Sequence, residues 1–145
     1  MEKCVFCQIV NKNKPAYIIY QNKDVTAFLD INPAAKGHVL VCPNNHIEKL
    51  NEIQHPSISN ALMESLINVS NLLIQSGLCN DFSIVQANGD SASQHIKHLH
   101  FHIIPRQKND KIHFKLDTDK IAALNDNLDK VYEHLLSFKC SSKDQ

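Results

Sequence analysis

Apolar and polar positions along the chain fall into two helical stripes, one strict alternation and several short runs. From Pro56 to Ser76, Ile58, Leu62, Leu66, Val69 and Leu73 recur three or four apart, which places them on one face of a helix. Pro56 suits the first turn, where its missing N–H is no loss, and Gly77 suits the stop. A second stripe, Ile121, Leu124, Leu128, Val131 and Leu135, predicts a helix over about 118–137, capped by Asp117 or Thr118. HLHFHII at 98–104 alternates strictly and predicts a strand with two chemically different faces. Shorter runs predict strands at 16–21, 25–30, 37–43 and 82–87, the first two separated by the turn-like Asn22-Lys23-Asp24. CVFCQIV at 4–10 predicts a small helix that packs Val5, Phe6 and Ile9. Strands on short turns with helices inserted predict an α+β fold, a mainly antiparallel sheet, and one domain over 1–145.

Composition narrows the function. Lys and Arg total 15 and so do Asp and Glu, a balance without the cationic surplus of a nucleic-acid or membrane-surface binder. No apolar run reaches the roughly 18 residues of a membrane span, the first twelve residues lack an apolar signal core, and Cys140 is misplaced for prenylation. Five cysteines at 4, 7, 42, 79 and 140 suggest no disulfide framework and predict reduced thiols in the cytoplasm. Three glycines cannot assemble a GxGxxG or Walker A phosphate cradle. Histidine is the excess: nine residues, four of them between 95 and 102.

In an extended strand, residues two apart share a face at a spacing of about 6.6 Å. His98, His100 and His102 therefore project together, with Leu99, Phe101 and Ile103 on the core side. Strand propensity does not explain three imidazoles in a row. Two chemistries do. Two of the rings chelate a catalytic metal, or one ring is a nucleophile and its neighbours hold a phosphate.

HLHFHII followed by Pro105-Arg106 resembles the signature of the histidine-triad (HIT) superfamily, and the likeness extends to Ala27–Ile31, Gly37–Val41 and Asn44–Ile47. It covers about 4–106, leaving a loop and helix at 107–138, and in size and organisation it resembles the HINT-like nucleoside phosphoramidate hydrolases. The resemblance implies a HIT-like fold with a central and a C-terminal helix. It also implies that His100 attacks the α-phosphorus of a purine nucleoside 5′-phosphoramidate or related adenylate. A nucleotidyl-histidine would form and then be hydrolysed by water. Diadenosine polyphosphate hydrolysis and a slow-turnover nucleotide-binding module are the neighbouring readings.

The same resemblance assigns His102 and His38 to the phosphate and Asp30 to the ribose hydroxyls. Val5, Phe6, Ile9, Phe28 and Ile31 become walls for the purine, and Asn88, Gln94 and His95 the loop contacts to the nucleotide. Relatives with an N-terminal CxxC imply a structural zinc ion held by Cys4, Cys7, His46 and His98, which would leave His100 free of metal. A homodimer with the 58–73 helix at its interface is also implied. Ala87, Ser93 and His95 depart from the family pattern, which carries an amide, a glycine and a small hydroxyl there. Arg106, Lys108, Lys111 and Lys115 form a basic stretch that would attract an anionic leaving group.

Overall fold

A computed structural model of the chain describes residues 4–116, 120–121 and 128–138. Internal contacts divide the chain into two compact units, Met1–Asp110 and Lys111–Gln145, where the sequence predicts one domain. The first unit runs α1 (Val5–Val10), β1 (Ile18–Gln21), β2 (Val25–Leu29), β3 (Val39–Pro43), α2 (Pro56–Gln75), β4 (Asp81–Gln86) and β5 (Phe101–Arg106). Short 3₁₀ turns lie at Leu50–Glu52 and Asp90–Ala92. The five strands form one antiparallel sheet in the order β1-β2-β3-β5-β4.

Alternation along the central strands explains how the sheet is covered on both faces. Val25, Ala27, Val39, Val41, Leu99 and Ile103 point to one side, where they bury against Ile58, Leu62, Leu66, Val69 and Leu73 of α2. Phe28, Leu40 and Cys42 point to the other and pack with Phe6 and Ile9 of α1. A strand covered on both faces reads as a continuous apolar run, as β3 does. Helix α2 starts at Pro56 and ends before Gly77, whose φ of +75° lets its N–H and that of Leu78 reach back to Ile74 and Leu73.

The histidine segment departs from the predicted strand. The β3–β5 ladder begins at Phe101, paired with Val41, and His98, Leu99 and His100 lie outside it. Extending that register would set Leu99 against Pro43, which has no N–H to contribute. Leu99 instead donates to the carbonyl of Ile47 at 2.6 Å, and the ring of His98 uses the carbonyl of Pro43. The two faces nevertheless separate as predicted: Leu99 and Ile103 are buried on the α2 side, with Phe101 packed partly against them.

In the second unit, α3 spans Leu128–Ser137, and its Leu128, Val131 and Leu135 are all exposed, as is Ile121. No described residue of α3 is buried, so its stripe adds nothing to a core. The predicted caps Asp117 and Thr118, the stripe residue Leu124, and Cys140 lie outside the described residues. Among the described residues no helix is long and apolar enough to cross a membrane.

Gly37 sets the entry to β3, with φ +85° and a would-be Cβ only 3.1 Å from Leu78 Cδ1. Gly77 has a similar φ, +75°, and open space around that position. Left-handed backbone costs a side chain about 1–2 kcal/mol, so Gly37→Ala should lose at least that much in urea unfolding. It should also lose more than Gly77→Ala, and equal losses would show that the Leu78 contact is irrelevant.

Candidate active site and metal centre

Between α1 and the sheet lies a cavity of about 400 Å³. Val5, Phe6 and Ile9 of α1 face Phe28 and Leu40 across it, Asp30 and Ile31 follow β2 at its edge, and His100 and His102 close the far end. Phe6 stands edge-on to both Phe28 and His100, with ring centroids 5.2 and 5.1 Å away. Ile31 forms a lip that is 81% exposed. One wall is thus apolar and aromatic while the other end carries imidazoles, a combination suited to a flat ring joined to a charged group.

Hydrogen bonds define the tautomer of each imidazole. The carbonyl of His98 lies 2.6 Å from His100 Nδ1 and can only accept, so His100 carries its proton there and leaves Nε2 as a lone pair. The backbone N–H of Ala34 donates to His38 Nδ1 at 3.0 Å, so the neutral His38 is protonated on Nε2. That Nε2–H points at His102 Nδ1, 2.9 Å away, which leaves His102 with its own proton on Nε2. The pair therefore offers an attacking lone pair on His100 and a hydrogen-bond donor on His102.

Burial, acting first, pushes His38 and His100 below their ordinary value of 6.5, against an opposing pull from Asp30 and, for His100, from the His98 carbonyl. Burial and then the neighbouring His100 and His38 take His102 down to about 4. These shifts favour the neutral form of His38, His100 and His102, the form that nucleophilic attack requires.

A second cluster lies at the start of α1. Donor atoms of Cys4, Cys7, His46 and His98 all lie within 4.8 Å of one another. Cys4 Sγ is 3.4 Å from His98 Nδ1, Cys7 Sγ is 3.6 Å from the same atom, and Cys7 Sγ is 3.3 Å from His46 Nδ1. A thiolate and an imidazole bound to one tetrahedral ion, at about 2.3 and 2.05 Å, would sit about 3.6 Å apart. His98 is prepared for this: its Nε2–H donates to the carbonyl of Pro43 at 2.8 Å, which turns the Nδ1 lone pair toward the sulfurs. The four residues can hold a metal ion. His98 and His100 do not aim at a common ion, so the geometry favours the nucleophile over the catalytic-metal chemistry.

Asp30, His38 and His102 also converge. Because Ala34 occupies His38 Nδ1, the Nε2 that faces this group bears a proton and is a donor, not a ligand. Two hydrogen bonds link Ala34, His38 and His102 in series, and Asp30 Oδ2 stands 3.7 Å from His38 Nε2, beyond hydrogen-bond distance.

Of the residues expected around the ligand, Val5, Phe6, Ile9, Phe28, Asp30, Ile31, His95, His100 and His102 all line the cavity. His38 does not; it is buried behind His102 and sets that ring's tautomer. Asn88 and Gln94 are also absent from the lining. Gln94 is 3% exposed and spends its amide on Gly89 N and Glu48 O, and Asn88 accepts from Leu50 N. Both hold the loop before the histidines. Arg106 is forked onto Asp110 and donates to Ser83, so the expected basic stretch begins with a neutralised cation. Lys14 and Ala16 also line the cavity, and no periodicity or motif marks them; Ser93, one of the departures from the family pattern, lines it too.

His102 protonates near 6.5 when unfolded but only near 4 in place, so the unfolded chain binds more protons between those values. Its contribution to stability is complete above about pH 6.5 and is lost as pH falls toward 4. His102→Asn should flatten the pH dependence of the denaturation midpoint in that window. An unchanged slope would exclude His102 as its source.

The HIT domain family model matches residues 11–109. The chain is 41% identical over 117 residues to an uncharacterized HIT-like protein of Borreliella burgdorferi, covering 79% of this chain and 84% of that one. It is 33% identical over 104 residues to the adenosine 5′-monophosphoramidase HNT1 of Saccharomyces cerevisiae, covering 72% of this chain and 63% of that protein. A crystal structure of a HIT-family protein from Bacillus subtilis superposes with a TM-score of 0.82 at 26% identity, over 97% of this chain and 99% of the other. A zinc-bound histidine triad family protein from Mycobacterium smegmatis gives 0.72 at 32% identity, over 80% and 84%. Fold and sequence agree: the chain belongs to the histidine-triad (HIT) family.

Proposed function

We propose that the protein hydrolyses purine nucleoside 5′-phosphoramidates or related adenylates at the α-phosphorus through a nucleotidyl-His100 intermediate. The observation that carries this reading is the 2.6 Å hydrogen bond from His100 Nδ1 to the His98 carbonyl beside a cavity of about 400 Å³ with an apolar, aromatic wall. It leaves Nε2 as a neutral nucleophile at the point where the phosphorus of a bound nucleotide would lie. Phe6, Phe28 and Ile9 take the base. Asp30 has one oxygen occupied by Asn32 N at 2.8 Å and keeps acceptor capacity for the ribose hydroxyls. His102 donates from Nε2 to a non-bridging phosphate oxygen, held in that role by His38. The monophosphoramidase name of the yeast relative supports this substrate class.

Cys4, Cys7, His46 and His98 hold a structural zinc ion in this reading, supported by the convergence of their donor atoms within 4.8 Å and by the zinc-bound relative. The ion would stabilise the start of α1 and take no part in the reaction. The protein works in the cytoplasm, where such thiols stay reduced, as a homodimer that covers Met63 and Ile67, exposed on the outer face of α2.

Removing the nucleophile, as in His100→Ala, should lower kcat by roughly 10³-fold or more, with nucleotide binding retained. Intact-mass analysis after brief exposure to an adenosine phosphoramidate should find the nucleotidyl group on His100. Hydrolysis that survives in the variant at the wild-type rate would overturn the mechanism. The metal reading has its own readout: the purified protein should carry zinc by elemental analysis, and Cys4→Ser/Cys7→Ser should carry none. Loss of the ion should cost about 2 kcal/mol or more, a fall in Tm of roughly 5–10 °C. A wild-type protein free of zinc, with a Tm insensitive to chelator, would remove the ion from the account.

A further inference from the structure

An amine leaving a phosphorus atom must take up a proton, and most groups around the cavity cannot supply one. Its titratable lining residues are Lys14, Asp30, His95, His100 and His102. His100 is the attacker, and its proton is engaged by the His98 carbonyl. His102 is held neutral, so its Nε2–H can hydrogen-bond, but giving that proton up would leave an imidazolate. Asp30 accepts hydrogen bonds. A lysine ammonium acts as a fixed positive charge and parts with its proton reluctantly near neutrality. Histidine is the side-chain type matched to proton transfer at that pH. Only His95 is left.

The loop that carries His95 is built to hold it in place. Gln94 is buried between Gly89 N at 2.7 Å and the Glu48 carbonyl at 2.6 Å. Ser93, on one side of that anchor, has φ +64°, a left-handed conformation that a residue with a side chain seldom adopts. Ser93 N–H and Gln94 N–H close back onto Asp90 and Gly89, which maintains this conformation. Ser93 and His95, flanking the buried glutamine, both face the cavity. No hydrogen bond engages the His95 ring among the described residues, so both of its nitrogens are available.

We propose that His95 is the general acid for the departing amine and the general base for the water that follows, an assignment that rests on the hydrolase reading above. As the bond from His100 Nε2 to phosphorus forms, the P–N bond breaks and its electron pair takes the proton of the His95 imidazolium. The amine departs neutral. In the second half, His95 accepts a proton from water as its oxygen bonds to phosphorus, and the pair of the breaking N–P bond returns to His100. The products are the free amine and the nucleoside monophosphate, with both histidines restored. An anionic phosphate leaving group has no need of that proton, so His95 selects for phosphoramidates of basic alkylamines over dinucleoside polyphosphates.

Single-turnover nucleotidylation of His100 can be followed with an adenosine 5′-(N-alkyl phosphoramidate) and with adenosine 5′-(4-nitrophenyl phosphate), whose phenolate leaves without a proton. In His95→Ala and His95→Gln, the ratio of the alkylamine rate to the nitrophenyl rate should fall about 10²-fold or more, and added imidazole should restore part of the amine rate in His95→Ala. Equal losses on both substrates, or an amine rate within about threefold of wild type, would overturn the assignment. Failure of the wild-type protein to form a His100 adduct from either substrate is a different result. It would remove the hydrolase reading itself, and the assignment with it.

Discussion

The carbonyl of His98 accepts the Nδ1–H of His100 at 2.6 Å, and the chemistry of the site depends on that bond. A free imidazole divides its proton between two nitrogens and turns about its side-chain torsions. Here one nitrogen is committed and the other is aimed. The acceptor is itself immobilised, because the ring of His98 is held by the Pro43 carbonyl on one side and faces two cysteine sulfurs on the other. A backbone carbonyl is well placed for this duty: it has no proton to exchange and carries no charge that would shift with pH. The same residue thus faces two clusters, its side chain turned to the two cysteine sulfurs and its backbone to the His100 ring.

Helix α1 connects those centres from the other direction. Its six residues are too few for an isolated helix to persist in water, and its N-terminal boundary at Cys4 has no side-chain cap. Cys4 and Cys7 belong to the metal donors, while Val5, Phe6 and Ile9 form a wall of the cavity. An ion bound by the two cysteines would therefore hold the helix and, through it, the apolar wall. Position in the helical repeat separates the two tasks: residues three apart share the metal side, and those between and beyond them reach the cavity.

Burying several imidazoles has a cost that the structure meets by keeping them neutral and bonded. His38, His98 and His100 are buried, and each ring finds a partner for at least one nitrogen. Neutral rings avoid the desolvation of charge and are the forms that can attack or orient a phosphate. His95, on the cavity wall and outside these bonds, differs in kind from the triad. The proton transfer proposed for it would require a change of charge, which a buried and bonded ring resists.

Much of this was legible in the chain. The helical stripe at 58–73, the end at Gly77 and the alternation HLHFHII depend on local periodicity, and they reappear as α2 and as two separate faces around the triad. Cys4, Cys7, His46 and His98 were nameable by resemblance, although only folding brings His46 and His98 beside Cys7. Sequence could not show that the β5 ladder stops at Phe101, because that follows from Pro43 lying opposite in another strand. Nor could it separate Gln94 from His95: adjacent residues in one loop, one spent on Gly89 and Glu48 and the other on the cavity wall. Sequence likewise could not show that His38 Nε2 faces His102 Nδ1 at 2.9 Å. Sequence by itself determined which residue types recur at which spacing, and hence the elements and the chemistry on hand. Tertiary structure alone decided which nitrogen of each histidine carries the proton, because that depends on partners tens of residues away.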